Sequence, residues 1–222
     1  MKSLNAFIPG TALLVALALS ACSSPAAPSS PSSSAGIDSD QATAIAELFS
    51  SASSDYIAAA TPAELGSKSD VVIKGTILRV QEGRVDGDPA DQITDAKSIV
   101  VVISKPKIIS GELPAGSDGL VYVELQSPFN QSAADYERGL PKNTKVVVYL
   151  VAASDGTDTF SQLQDPAAGR PAGQPLYMPY NPQSFAVELI DKSGVTWIGE
   201  PTQAQKVKLD DTLPSGTVIP TP

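Results

Sequence analysis

Apolar residues fall in short bursts along the chain, and the spacing inside each burst predicts an element. Residues 12–19 (ALLVALAL) are uniformly apolar. Further on, Ile45, Leu48, Phe49, Ala52 and Tyr56 recur at helical spacing, which predicts a helix capped by Asp40 and running to about Ala60. Thr61-Pro62-Ala63-Glu64 predicts a second helix start. Thr61 stands as N-cap, Pro62 at the first helical position and Glu64 closes a capping box, with Gly66 placed to end the turn.

The pattern then changes period. Residues 71–80 (VVIKGTILRV), 99–104 (IVVVIS, extending to Ile109), 120–125 (LVYVEL) and 145–152 (KVVVYLVA) are dominated by Val, Ile, Leu and Tyr. Such residues suit a pleated, half-buried surface, so each run predicts a strand. Residues 184–190 and 195–198 predict a further pair, joined by Asp191-Lys192-Ser193-Gly194, a hairpin turn by composition. The runs at 99–104 and 145–152 are apolar on both faces. A strand of that kind must be covered on both sides, which favours a small barrel or a sheet with a helix lid. The 40–60 helix is the candidate lid, and Gly75 suits a bulge or a barrel corner. No internal repeat is visible.

The N-terminal burst has a different destination. Lys2 supplies a short positive region, and no other charge occurs before Asp38. The apolar run from Phe7 to Ala21 falls short of the roughly 20 residues a membrane-spanning helix needs, and Pro9-Gly10 interrupts its front. It has the length of a signal-peptide core instead. Leu19-Ser20-Ala21-Cys22 follows, and Cys22 is the chain's single cysteine. This order resembles the lipobox of bacterial lipoproteins. The resemblance implies cleavage between Ala21 and Cys22 and diacylglyceryl attachment to the Cys22 sulfur, hence a cell-membrane anchor on the extracytoplasmic side. Residues 23–36 are all Ser, Pro, Ala or Gly. With no apolar surface to offset ordering entropy they read as a disordered tether spanning roughly 20 Å as a coil.

A second resemblance lies in the body. It is carried by residues 61–65, Ser69-Asp70-Val71-Val72-Ile73-Lys74-Gly75-Thr76, Lys107-Ile108-Ile109-Ser110-Gly111 and Leu140-Pro141-Lys142-Asn143-Thr144-Lys145-Val146-Val147-Val148-Tyr149-Leu150. Together these resemble the small β-domains of exported actinobacterial-type proteins and, more distantly, the OB-like barrels of the netrin class. The resemblance implies a mainly β fold, a small OB-like β-barrel with helix lid and long loops, and assigns no catalytic residue.

Composition narrows the chemistry. The chain has 222 residues, no histidine and one cysteine. No Ser-His-Asp or Cys-His site, histidine-ligated metal or internal disulfide can therefore form. A net charge of −9 disfavours a nucleic-acid partner. No cofactor motif is present, and no cofactor is expected. Asp86, Asp88, Asp91 and Asp95 could offer oxygens to calcium. The EF-hand spacing fails, because Asp91 stands where glycine belongs and Lys97 where glutamate belongs. A solvated hairpin loop fits better, and no metal is expected.

Ser104-Lys105-Pro106-Lys107, Ser154-Asp155-Gly156 and Lys192-Ser193-Gly194 stand in the order of a penicillin-recognising serine enzyme. Ser104, however, ends a predicted strand before a proline, where the nucleophile needs a helix start. Tyr177, Tyr180 and Trp197 can form a stacking platform for a sugar or peptide. With aromatics at only 5%, they are also the obvious core fillers, and core packing or loop anchoring is the better reading.

The expected organisation is a signal peptide at 1–21, lipidated Cys22 with a tether to 39, a helical segment at 40–66, a β-barrel at 67–200 and a partly disordered tail at 201–222. The expected function is a non-enzymatic binding or accessory module at the cell envelope, held by the lipid on Cys22, with an envelope protein or glycan as ligand. The competing reading is a histidine-free hydrolase acting on cell-wall material through a Ser-Lys or carboxylate pair.

Overall fold

The computed structural model describes residues 40–50, 55–87, 96–128, 130–154, 163–201 and 204–221. The signal, lipobox and tether positions, including Ala21 and Cys22, lie outside the described residues, as do Asp88, Asp91 and Asp95.

The protein is mainly β. Its strands are β1 (Val71–Asp86), β2 (Ala96–Gly111), β3 (Leu120–Ser127), β4 (Lys145–Ala152), β5 (Leu176–Pro179), β6 (Phe185–Glu188) and β7 (Val195–Trp197). They form one seven-stranded sheet in the order β1-β2-β3-β5-β4-β6-β7, with β1 pairing β4 as well. Five strands therefore make a circuit, β1–β2–β3–β5–β4 and back to β1, in which only β3–β5 is parallel. The long β1 serves both neighbours through its first six residues. Its pairing with β2 shifts register between Lys74 and Thr76. Gly75 occupies that irregularity because a Cβ there would stand 2.4 Å from Ile103 Cγ2.

Each strand that is apolar on both faces is covered on both. On β2, Ile99, Val101 and Ile103 join the main core, while Val100 and Val102 join Tyr122 and Leu176 on the opposite face. On β4, Val146, Val148 and Leu150 enter the main core, and Val147 and Tyr149 pack with Trp197, Leu65 and Leu209 outside it. Period-2 geometry distributes one run between two apolar environments.

Helix α1 (Asp40–Phe49) lies over the main core through Ile45, Leu48 and Phe49. It is shorter than the periodicity predicts. Residues 55–59 are not helical, and Tyr56 instead donates to Glu200 Oε1 at 2.7 Å. That tertiary bond and the link from Ala59 N to Gln183 Oε1 (2.8 Å) hold this stretch outside any helix. Helix α2 (Pro62–Ser67) has the predicted cap: Thr61 Oγ1 accepts from Glu64 N at 3.1 Å. The Glu64 carboxylate reaches back to Ala60 N, one residue before the cap. A single turn, α3 (Ala133–Tyr136), lies between β3 and β4 and stacks Tyr136 edge-on against Phe49 at 5.4 Å.

The stretch read as a partly disordered tail is packed where it is described. Leu209 and Thr212 are buried, Tyr149 Oη donates to Thr212 O at 2.5 Å, and Gln183 Nε2 donates to Pro220 O at 2.6 Å. Its apolar residues cover the outer face of β4, β6 and β7. They are spaced widely among Pro, Asp and Lys, so no periodicity announces them.

Candidate functional site

β3 and β5 pair through only two positions, Tyr122↔Leu176 and Val123↔Tyr177. Beyond them β3 continues to Ser127 with β2 as its strand neighbour. A cleft of about 530 Å³ opens there, with Glu124, Leu125 and Gln126 on one side and Met178–Asn181 on the other. Phe49, Leu125, Phe185 and Ile198, all members of the main core, give it an apolar floor. Asp55, Tyr56, Asp86, Lys97 and Leu163 also line it, with Asp86 bridged to Leu163.

Short-range chemistry fixes these walls. Pro182–Ser184 forms a 3₁₀ turn capped by Asn181, whose Oδ1 accepts from Gln183 N at 3.0 Å and Ser184 Oγ at 2.8 Å. Gln183, almost fully buried, ties the 55–60 stretch and the C-terminal segment to this turn. Burial, reinforced by the Glu200 carboxylate, holds the Tyr56 phenol well above its ordinary pKa, so Tyr56 is a neutral donor at physiological pH.

The opposite wall contains a buried ion pair. Arg84 Nε donates to Glu124 Oε1 at 2.7 Å, its Nη2 pairs with Glu124 Oε2, and its Nη1 donates to Ser154 O at 2.6 Å. Ser98 Oγ lies 2.8 Å from Glu124 Oε1 and 3.0 Å from Arg84 O. The planar guanidinium matches the carboxylate fork, so both charges are saturated at a wall that is only 7% and 14% exposed. Lys97 is neutralised likewise by Glu82 at 3.0 Å. Glu82 is held below the usual carboxylate range, first by the Ala133 N–H and also by the Lys97 ammonium.

The residues singled out in the sequence scatter. Tyr177 is buried in the main core and Trp197 in the outer cluster, so with Tyr180 they do not make one platform. Only Tyr180 lines the cleft, beside half-exposed Met178. Alternation explains the split: neighbouring positions of β5 face opposite ways, and Trp197 points to the outer side of β7. Asp86 also lines the cleft, while Asp88 and Asp91 lie outside the described residues. Among the described residues no three His, Cys, Asp or Glu side chains are grouped to hold a metal ion. Ser104 Oγ donates to Thr76 O at 3.2 Å and so serves the β1–β2 pairing.

The outer face of β2 and β3 carries its own cover. Gly169, at φ +79°, comes so close that a Cβ would stand 2.3 Å from Val100 Cγ2, and Gln81 donates to its carbonyl. Only glycine combines that backbone angle with that approach. Arg84, Asp86, Tyr56, Glu124 and Phe49 were not gathered by sequence reasoning, since they come from segments far apart in the chain and share no motif. Comparison with known protein families, with curated proteins and with solved structures finds no match for this chain.

Proposed function

We propose that the protein is a lipid-anchored, extracytoplasmic binding or accessory module of a bacterial cell envelope, built on an OB-like barrel and taking its ligand in the cleft between β3 and β5. The barrel reading is supported by the five-strand circuit with its single parallel pair, by the apolar cluster that circuit shares, and by the turn of helix between β3 and β4. The anchor reading rests on Leu19-Ser20-Ala21-Cys22 and the Ser/Pro/Ala tether behind it.

One observation carries the binding role: a 530 Å³ opening, within the range of ligand sites, whose apolar floor is rimmed by a few fixed polar groups. OB-like barrels commonly bind on the outer face of their second and third strands. Here Gly169 packs against Val100 on that face, and the cleft is an open concavity at the end of the β3–β5 pairing. The test is a thermal-shift and amide-exchange screen of the protein against peptides, glycans and cell-wall fragments. Binding that protects residues 124–127 and 178–181 supports the proposal. Ligands that act only at other surfaces, or turnover of a cell-wall fragment, would replace it.

A further inference from the structure

We infer that the cleft takes an extended, cationic peptide segment of a partner protein, which adds to the open edge of β3 as a strand. This rests on the binding role proposed above and names its ligand class. The first ground is the edge itself. Past Val123, residues 124–127 pair with β2 on one side only, and among the described residues no main-chain group lies bonded along the other side. Unpaired N–H and C=O groups in a row are a template for another strand.

The second ground is a contrast between two open edges. β2 also outruns its partner: β3 accompanies it only through Ser104, and residues 105–111 have β1 alone. That edge carries Lys105, Pro106 and Lys107, the charged and N–H-lacking residues that discourage strand addition. The β3 edge reads Glu124-Leu125-Gln126-Ser127, and its one charge is already saturated by Arg84. It is unguarded, and it faces the cleft.

The cleft suits a peptide's side chains as well as its backbone. Strand addition draws affinity from main-chain hydrogen bonds and specificity from pockets for alternate side chains. The floor formed by Phe49, Leu125, Phe185 and Ile198 accepts apolar residues at every second position. The rim sets the charge. Arg84 and Lys97 are neutralised by Glu124 and Glu82, whereas Asp55 and Asp86 make no ion pair among the described residues. Tyr177 and Trp197 are buried, so neither presents a ring to the cleft beside Tyr180.

The experiment uses the full chain in detergent micelles and four probes. They are a short peptide alternating Lys with Val or Leu, its Glu counterpart, the Lys peptide N-methylated at alternate main-chain nitrogens, and a neutral chito-oligosaccharide. The Lys peptide is expected to slow amide exchange at 124–127 and to bind more weakly as salt rises. N-methylation is expected to weaken binding by at least about tenfold, since each lost main-chain bond costs of the order of a factor of ten. The double variant Asp55→Asn/Asp86→Asn is expected to weaken the Lys peptide by about two- to tenfold, as for exposed ion pairs, with an unchanged Tm.

Equal binding of the Glu or N-methylated peptide overturns the inference. Protection of the cleft by the oligosaccharide but by neither unmethylated peptide overturns the ligand class and leaves the cleft's binding role standing. No protection of the cleft by any probe overturns the inference and counts against that role too.

Discussion

At the scale of single residues, the best-defined interaction is the Arg84–Glu124 pair. Removing one partner of a buried pair leaves an uncompensated charge, whereas replacing both with apolar groups is often neutral. Arg84→Ala is therefore expected to lower unfolding free energy by about 3 kcal/mol, with Arg84→Met/Glu124→Leu returning to within about 1 kcal/mol of the parent. Denaturant unfolding of both variants measures this, and equal losses would show that packing, not charge, dominates the wall. The buried tyrosines make a second residue-scale prediction. Burial, then the bond from Tyr122 Oη to Asp118 Oδ2 (2.6 Å), push the Tyr122 phenol up to about 12 from its ordinary value of 10. Tyr136, Tyr149 and Tyr177 shift upward too, burial leading in each. A folded-state pKa above the unfolded value gives stability that is complete below the unfolded pKa and is lost as pH climbs through the folded one. The protein is thus expected to unfold cooperatively between pH 10 and about 12, with phenolate absorbance and circular dichroism changing together. Tyr122→Phe should move the onset upward; titration of the four buried tyrosines without unfolding, read in a Tyr180→Phe background, would contradict this.

At the scale of elements, the C-terminal segment makes the sharpest prediction. Its 3₁₀ turn, Leu209–Thr212, places Leu209 against Trp197 and Tyr149, with Leu213, Val218 and Ile219 alongside. Truncation after Gln205 would bare these positions, and each large side chain exposed costs about 1.5–3 kcal/mol. Loss of the segment is expected to lower Tm strongly and red-shift the single tryptophan's fluorescence; an unchanged emission maximum would mean the cover is dispensable. The sequence did not disclose this element, and the reason generalises. The strands β1 to β4, the Thr61 cap, the 191–194 turn and the Gly75 irregularity are legible because period, caps and glycines act locally. The Lys192 φ of +58° and the Leu189 N to Gly194 O bond (2.9 Å) bear out the turn. β5 is illegible because its four residues end in proline and read as an aromatic cluster. α1 stops early because Tyr56 and Ala59 find tertiary partners. The cleft is hidden for the same reason: only Tyr180 and Asp86 among the singled-out residues reach it, while its other walls are matched by topology.

At the scale of the whole molecule, the proposed function requires that something hold a domain of this composition at a membrane. Among the described residues no helix is long and apolar enough to cross one, and the apolar runs of β2 and β4 are consumed by two packed faces each. Electrostatics works against adhesion, since a net charge of −9 is repelled by an anionic lipid surface. Covalent lipid is the route that the proposed function supplies. A single acyl chain holds only marginally, at about 0.8 kcal/mol per buried methylene, and stable attachment takes two anchoring signals. A diacylglyceryl group on Cys22 meets that requirement, and the cysteine has no disulfide partner in the chain to compete for it. Cys22→Ala is accordingly expected to abolish acyl labelling and to block the lipoprotein-specific cut after Ala21. The variant should then be retained as an uncut precursor, or be released to the medium if another peptidase accepts the site. A released form is expected to keep the parent's Tm and the same ligand protection at residues 124–127, since the core clusters and the cleft are built from residues within 42–219. Protein of mature size that stays on washed membranes without acyl label would refute the anchor while leaving the cleft untouched.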